Sequence, residues 1–270
     1  MSACDLRSET DQGGRFFVIQ VVEDFLGYFR IDRTVRLLGL LVGVLLLVLV
    51  VLTMVAFVLK RGPDTTSSID REIAALQRQL QRNPTSSDVR LDLGWKLYQK
   101  GDYTAALAQY QEVLKSNSEH AGARFGTALA LEKLGKTDDA ILELNKLIEK
   151  DNAYDQAYYE LARLYWERGS LEEALANAER LVTLQPVSSS AHYIRGRVLL
   201  AKGDVDSALK DFQAAVAYDP QFAQGYLGLG LADLARGQKD DGISNLRKAS
   251  ALDPDLEEAT RAVREASGQP

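Results

Sequence analysis

Arg163 and Arg197 stand 34 residues apart, and two guanidinium groups held on one wall of a protein can grip carboxylates through forked hydrogen bonds. The acids able to neutralise them, Glu132, Glu160 and Glu167, are close by in the chain. Other reactive side chains are sparse. The 270 residues include one Cys, Cys4, and two His, His120 and His192, too few for a disulfide framework, a structural zinc site or a Cys/His catalytic pair. The acid pairs Asp138-Asp139, Glu172-Glu173 and Asp240-Asp241 fall where helices should begin, and there negative charge complements the helix dipole. The sequence contains no G-x-x-x-x-G-K-[ST], H-E-x-x-H or G-x-S-x-G, so the expectation is no enzyme, no metal and no cofactor.

The elements that position the arginines announce themselves by self-similarity. Gly101, Gly135, Gly169, Gly203 and Gly237 recur every 34 residues; with 20 glycines in 270 residues, four such coincidences have a chance on the order of 3 in 100,000. Small residues recur in the middle of a first helix (Gly94, Ala128, Ala162, Gly196, Gly230) and early in a second (Ala106, Ala140, Ala174, Ala208, Gly242). A large aliphatic residue follows each of the latter, and Pro186, Pro220 and Pro254 close the later copies, since proline cannot continue a helix. Gly242 within a helix should cost about 1 kcal/mol relative to Ala, which makes the fifth copy the expected weak point. Arg195 and Asp233 also break columns otherwise filled by large apolar residues.

These columns resemble the tetratricopeptide repeat. The resemblance covers five repeats over residues 87–256, followed by a capping helix from Glu257 to Ser267 and a short tail to residue 270. It implies an all-α solenoid of helical hairpins whose first helices line a concave groove. Carrying over the family's groove positions gives Trp95, Tyr98, Phe125, Tyr159, Arg163, Trp166, Tyr193 and Arg197 as candidate peptide-contacting residues, with Leu129, Leu227, Leu231 and Leu234 beside them. Aromatics and Arg are the residue types that dominate binding hot spots; the same aromatics can equally fill gaps between repeats.

Residues 37–59 form a second kind of element, 23 consecutive uncharged positions in which Gly39, Gly43 and Thr53 alone are not strongly apolar or Ala. As a helix it would reach roughly 35 Å, enough for a bilayer core of about 30 Å, and the 36 residues before it argue against a cleaved signal peptide. The flanking cations tie locally, but five Arg in the tail favour an N-terminus inside and repeats outside, as for a single-pass protein of a bacterial inner membrane with the repeats in the periplasm. Gly39 and Gly43 could let two such helices pair as a homodimer. Within residues 1–36, Val18, Val22, Phe25 and Phe29 share a helical face, suiting an amphipathic helix. Residues 60–86 read as a polar hinge and an N-terminal capping helix with Ser68 as its N-cap.

Lys and Arg number 32 against 38 Asp and Glu, a net charge of −6, which argues against nucleic acid as a partner. The expected function is a membrane-anchored scaffold that binds proteins or peptides in its groove, in assembly or biogenesis of membrane or exported proteins. A constitutive subunit of a larger membrane complex is one alternative. The other follows from resemblance to cytochrome c maturation factors, whose repeat domain binds an apoprotein; there the two arginines would engage the apoprotein's C-terminal helix.

Overall fold

The computed structural model describes residues 33–60 and 67–268. The expected amphipathic tail helix, the hinge at 61–66 and the last two residues lie outside the described residues. The chain divides into two units at residue 66. In the first, α1 (Arg33–Lys60) is one continuous helix through the apolar block. Its described side chains run from Leu41 to Met54, and the large ones are exposed, from 48% for Val48 to 68% for Met54. That stretch of fourteen residues rises about 21 Å. Among the described residues, therefore, no helix is long and apolar enough to cross a membrane.

The second unit begins with α2 (Ser68–Arg82) and α3 (Ser87–Lys100). Ser67 rather than Ser68 caps α2, because Asp70, three residues on, can accept a hydrogen bond from the Ser67 backbone and complete a capping box. The chain continues with α4 (Tyr103–Ser116), α5 (Ala121–Lys133), α6 (Thr137–Lys150), α7 (Asp155–Arg168), α8 (Leu171–Leu184), α9 (Ser189–Ala201), α10 (Val205–Tyr218), α11 (Ala223–Ala235), α12 (Lys239–Leu252) and α13 (Glu257–Ser267). No strand occurs among the described residues. The periodic glycines end the first helix of each hairpin: Gly101, Gly135, Gly169, Gly203 and Gly237 all have φ between 75° and 88°. A residue with a Cβ is disfavoured there, so the 34-residue glycine signal is a backbone requirement.

The small-residue columns make room for wedges. Tyr110 of α4 lies between Gly94 and Gly126, and a Cβ on either glycine would sit 2.6 Å from its ring. Phe212 of α10, three repeats later, lies in the same way between Gly196 and Gly228. Both rings are buried, at 3% and 0% exposed. Where the wedge column holds the smaller Leu144 or Ala178, the facing first-helix position holds Ala128 or Ala162 rather than Gly, so volume is matched in repeats two and three as well; in repeat five Leu246 faces Gly230, where α11 and α12 approach closely. The same logic changes the reading of Gly242. A Cβ there would lie 2.8 Å from Leu234 Cγ and 3.0 Å from the Gly230 carbonyl oxygen. Gly242 permits the closest approach of α11 and α12, and it is a packing requirement rather than a weak point.

A polar staple ties each of several hairpins to the turn before it. Arg90 donates to the Pro84 carbonyl (2.9 Å) and to Gln109 Oε1 on the second helix (3.2 Å). Arg124 repeats this with the Ser118 carbonyl and Glu143 Oε2, and His192 with the Pro186 carbonyl (3.0 Å) and Asp211 Oδ1 (2.9 Å). In repeat three the corresponding position is Tyr158, and Arg180, its guanidinium 5.9 Å from that ring, reaches the turn carbonyl of Asn152 instead. His192 is thus structural, as is His120, whose Nδ1 accepts from the Ala123 N–H at the start of α5. The two residues that broke the apolar columns are also paired: Arg195 forks onto the buried Asp211 (2.8 and 2.6 Å), and Asp233 accepts from Asn245 (2.8 Å). Arg195 satisfies the buried Asp211, and Asn245 satisfies the buried Asp233, each a carboxylate that would cost several kcal/mol to bury alone.

Candidate peptide-binding groove

First helices of successive hairpins pack directly against each other for α3 with α5, α7 with α9, α9 with α11 and α11 with α13. The exception is α5 with α7, whose backbones barely meet. A cleft of about 510 Å³ opens there, lined by Trp95, Phe125, Leu129, Asp155, Gln156, Tyr159, Glu160, Leu181, Gln185 and Ser190. Trp95 is 46% exposed and stacks on Tyr98, with ring centroids 5.5 Å apart and planes 7° from parallel. Phe125 is braced by Tyr154 at 5.5 Å. Three candidates, Trp95, Phe125 and Tyr159, therefore meet in one cavity, with Tyr98 as the backing of the first.

The arginines do not share it as a free pair. Arg163 spans the gap between α7 and α5: it donates to Glu160 (2.6 and 3.0 Å), Glu132 (2.8 Å) and Glu167 (2.9 Å). Burial opposes its charge, but Glu160 and the other two carboxylates more than offset that and raise its pKa. Arg197 is held elsewhere. It forks onto Glu258 of the capping helix, 61 residues away, at 2.9 and 3.1 Å, and donates to the Tyr193 hydroxyl at 2.8 Å. Its guanidinium lies 4.5 Å from the Trp166 ring centroid and 5.7 Å from that of Tyr193. Here too burial opposes the charge, and the Tyr193 oxygen and Glu258 outweigh it, raising the pKa. Trp166, Tyr193 and Arg197 are joined into an internal clasp, and Tyr193 packs edge-on against Phe222 at 5.7 Å.

Leu227, expected on the groove wall, is fully buried, because Gly225 and Gly228 let α11 settle against Val216 and Phe212. Leu231 and Leu234 pack on the same core. The cleft residues that groove columns did not name are Asp155, Gln156, Glu160, Leu181, Gln185 and Ser190. Asp155 and Gln156 open α7, one turn before Tyr159, and Gln185, beyond the end of α8, donates to the Asp155 carboxylate.

A stack of helical hairpins with an inner wall of first helices defines the class of α-solenoid repeat proteins. The chain belongs to the tetratricopeptide repeat family, whose model matches residues 91–155, 159–221 and 195–257. No curated protein matches it. Among solved structures it is similar to the MamA protein (26% identity, 62% of this chain, 92% of that one, TM-score 0.53). It is similar in fold to TTC0263, a thermophilic repeat protein of Thermus thermophilus (24% identity, 67% and 99% covered, TM-score 0.57). A third is YrrB, a tetratricopeptide protein described as having an unusual peptide-binding site (22% identity, 70% and 97% covered, TM-score 0.53).

Proposed function

We propose that the protein is a membrane-anchored scaffold that binds a segment of a partner protein in the cleft between the second and third repeats. The observation that carries this reading is the cleft of about 510 Å³ with a nearly half-exposed Trp95 at its edge. A large aromatic backed by a parallel ring, beside further apolar side chains, has the composition of a binding hot spot. Membership of a family of repeat scaffolds and the likeness to a protein with a peptide-binding site support it.

The anchor is residues 37–59, supported by the uncharged run, by the helix that continues through it, and by the large side chains exposed between Leu41 and Met54. Such an apolar surface is stable in lipid and a liability in water. Among the described residues nothing lies within 4 Å of a Cβ built on Gly43, and a small residue there suits the close approach of a second membrane helix. The repeats would then work at one membrane face, in assembly or biogenesis of membrane or exported proteins. Crosslinking with mass spectrometry on membranes should show partner peptides joined near the cleft, and Trp95→Ala should remove them; unchanged crosslinks would refute the site. Alkaline extraction and protease protection of tagged termini test the anchor and its direction: release of the full chain by alkali would refute it.

A further inference from the structure

The cleft differs in charge from a groove built to hold an acidic peptide. Its floor is apolar, formed by Phe125, Leu129 and Tyr159, and its rim is acidic. Asp155 and Glu160 line the cleft, and Glu160 belongs to the carboxylates gathered on Arg163. Lys133 approaches Glu132 at 3.7 Å. The charged side chains that line the cleft, Asp155 and Glu160, are both acidic, and no Lys or Arg is among its lining residues. The guanidinium that could have met a partner's carboxylate is already saturated by the chain's own. Nearby phenols feel the same field. Burial first and then Glu132 raise the pKa of Tyr98, and burial first and then Glu160 raise that of Tyr159.

We infer that the occupant of this cleft is a basic, apolar segment of a partner protein, a Lys or Arg set beside large aliphatic or aromatic residues. The apolar residues would enter the cavity against Phe125 and Tyr159, and the cation would lie between Asp155 and Glu160, with the Trp95 ring face open to it. A cation brought there gains from those two carboxylates, whereas an acidic residue meets like charge. The inference rests on the proposed role of the cleft and specifies its ligand.

Full-length protein in detergent micelles, titrated with three fluorescent peptides of equal length and leucine content carrying Lys, Gln or Glu, tests it by anisotropy. The Lys peptide should bind about 10-fold or more tighter than the Glu peptide at low salt, with the difference shrinking as salt rises. Gln156→Lys, a change at an exposed rim position, should weaken the Lys peptide and not the Gln peptide. Asp155→Asn, close in shape, should do the same with an unchanged thermal melt. Equal or tighter binding of the Glu peptide overturns the charge assignment while leaving the cleft as a binding site. Binding of no peptide, with or without Trp95→Ala, overturns both. Self-association abolished by Gln156→Lys would replace the basic peptide with a second copy of this chain.

Discussion

Arg163 and Arg197 occupy equivalent positions in adjacent repeats, yet one stands at an opening and the other inside a clasp. Around Arg163 the first helices α5 and α7 barely meet, and a cluster of side chains bridges them beside an open cleft. Around Arg197 the first helices pack continuously, and the capping helix closes the end through Glu258. Local sequence sets the difference. Gly196 and Gly228 admit Phe212 and draw α9, α10 and α11 together, whereas the equivalent positions at the α5/α7 opening are Ala128, Leu144 and Glu160, the last a charged residue turned to Arg163. A solenoid of nearly identical units can therefore divide its inner wall into a part that receives a ligand and a part that holds the scaffold together.

The largest effect should come from breaking the closed part. Phe212→Ala empties a fully buried site between two glycines and should cost about 3–5 kcal/mol, measured by urea denaturation. Hydrogen exchange should show α9 to α12 losing protection before α5 to α8, and uniform loss would contradict the division. Next, alkaline pH should separate the two wedges. Burial, with a smaller contribution from Tyr98, pushes the Tyr110 phenol up to about 12 from 10.0, so the folded state favours the neutral ring. Its contribution is complete below about pH 10 and is lost as pH rises through about 12, an effect of about 3 kcal/mol. Phe212 has nothing to titrate, but burial also raises the pKa of Tyr193 beside it, so the Tyr110 share of the alkaline loss is the part read from exchange in repeats one and two. Tyr110→Phe should flatten that dependence.

A smaller effect tests Gly242. In an open helix Gly→Ala gains up to about 1 kcal/mol, but here the added methyl meets Leu234 and the Gly230 backbone, so Gly242→Ala should destabilise by about 1–3 kcal/mol. A higher melting temperature would sink that account. Smallest is the contrast between the arginines' acids. Glu258→Gln should cost about 1–2 kcal/mol and show as faster exchange in α13. Glu167→Gln leaves Arg163 with Glu132 and Glu160 and should change stability by less than about 0.5 kcal/mol.

The hairpins, their turns and the cap were legible in the sequence because each rests on short-range chemistry. Glycine at a positive φ and proline after a helix act within a few positions, whereas the cap of α2 falls at Ser67, one residue before the serine the sequence suggested. Arg195 in an apolar column was a visible signal for its partner, since Asp211 interrupts the following helix with a buried acid. The clasp was not legible. Glu258 finds Arg197 across 61 residues through the curvature of the whole stack, which accumulates from small rotations between repeats that no single column records. The cleft was half legible. Trp95, Phe125 and Tyr159 followed from groove positions, but Leu181 and Gln185 come from a second helix and its exit turn.

The most direct measurement places a photocrosslinking amino acid at Leu129 or at Leu231 in the full-length chain and adds the labelled Lys-containing peptide. Crosslinking is expected at Leu129, competed by unlabelled peptide and reduced by Trp95→Ala, with little at Leu231. Crosslinking chiefly at Leu231, or equally at both sites and indifferent to Trp95, would contradict a ligand site in the cleft.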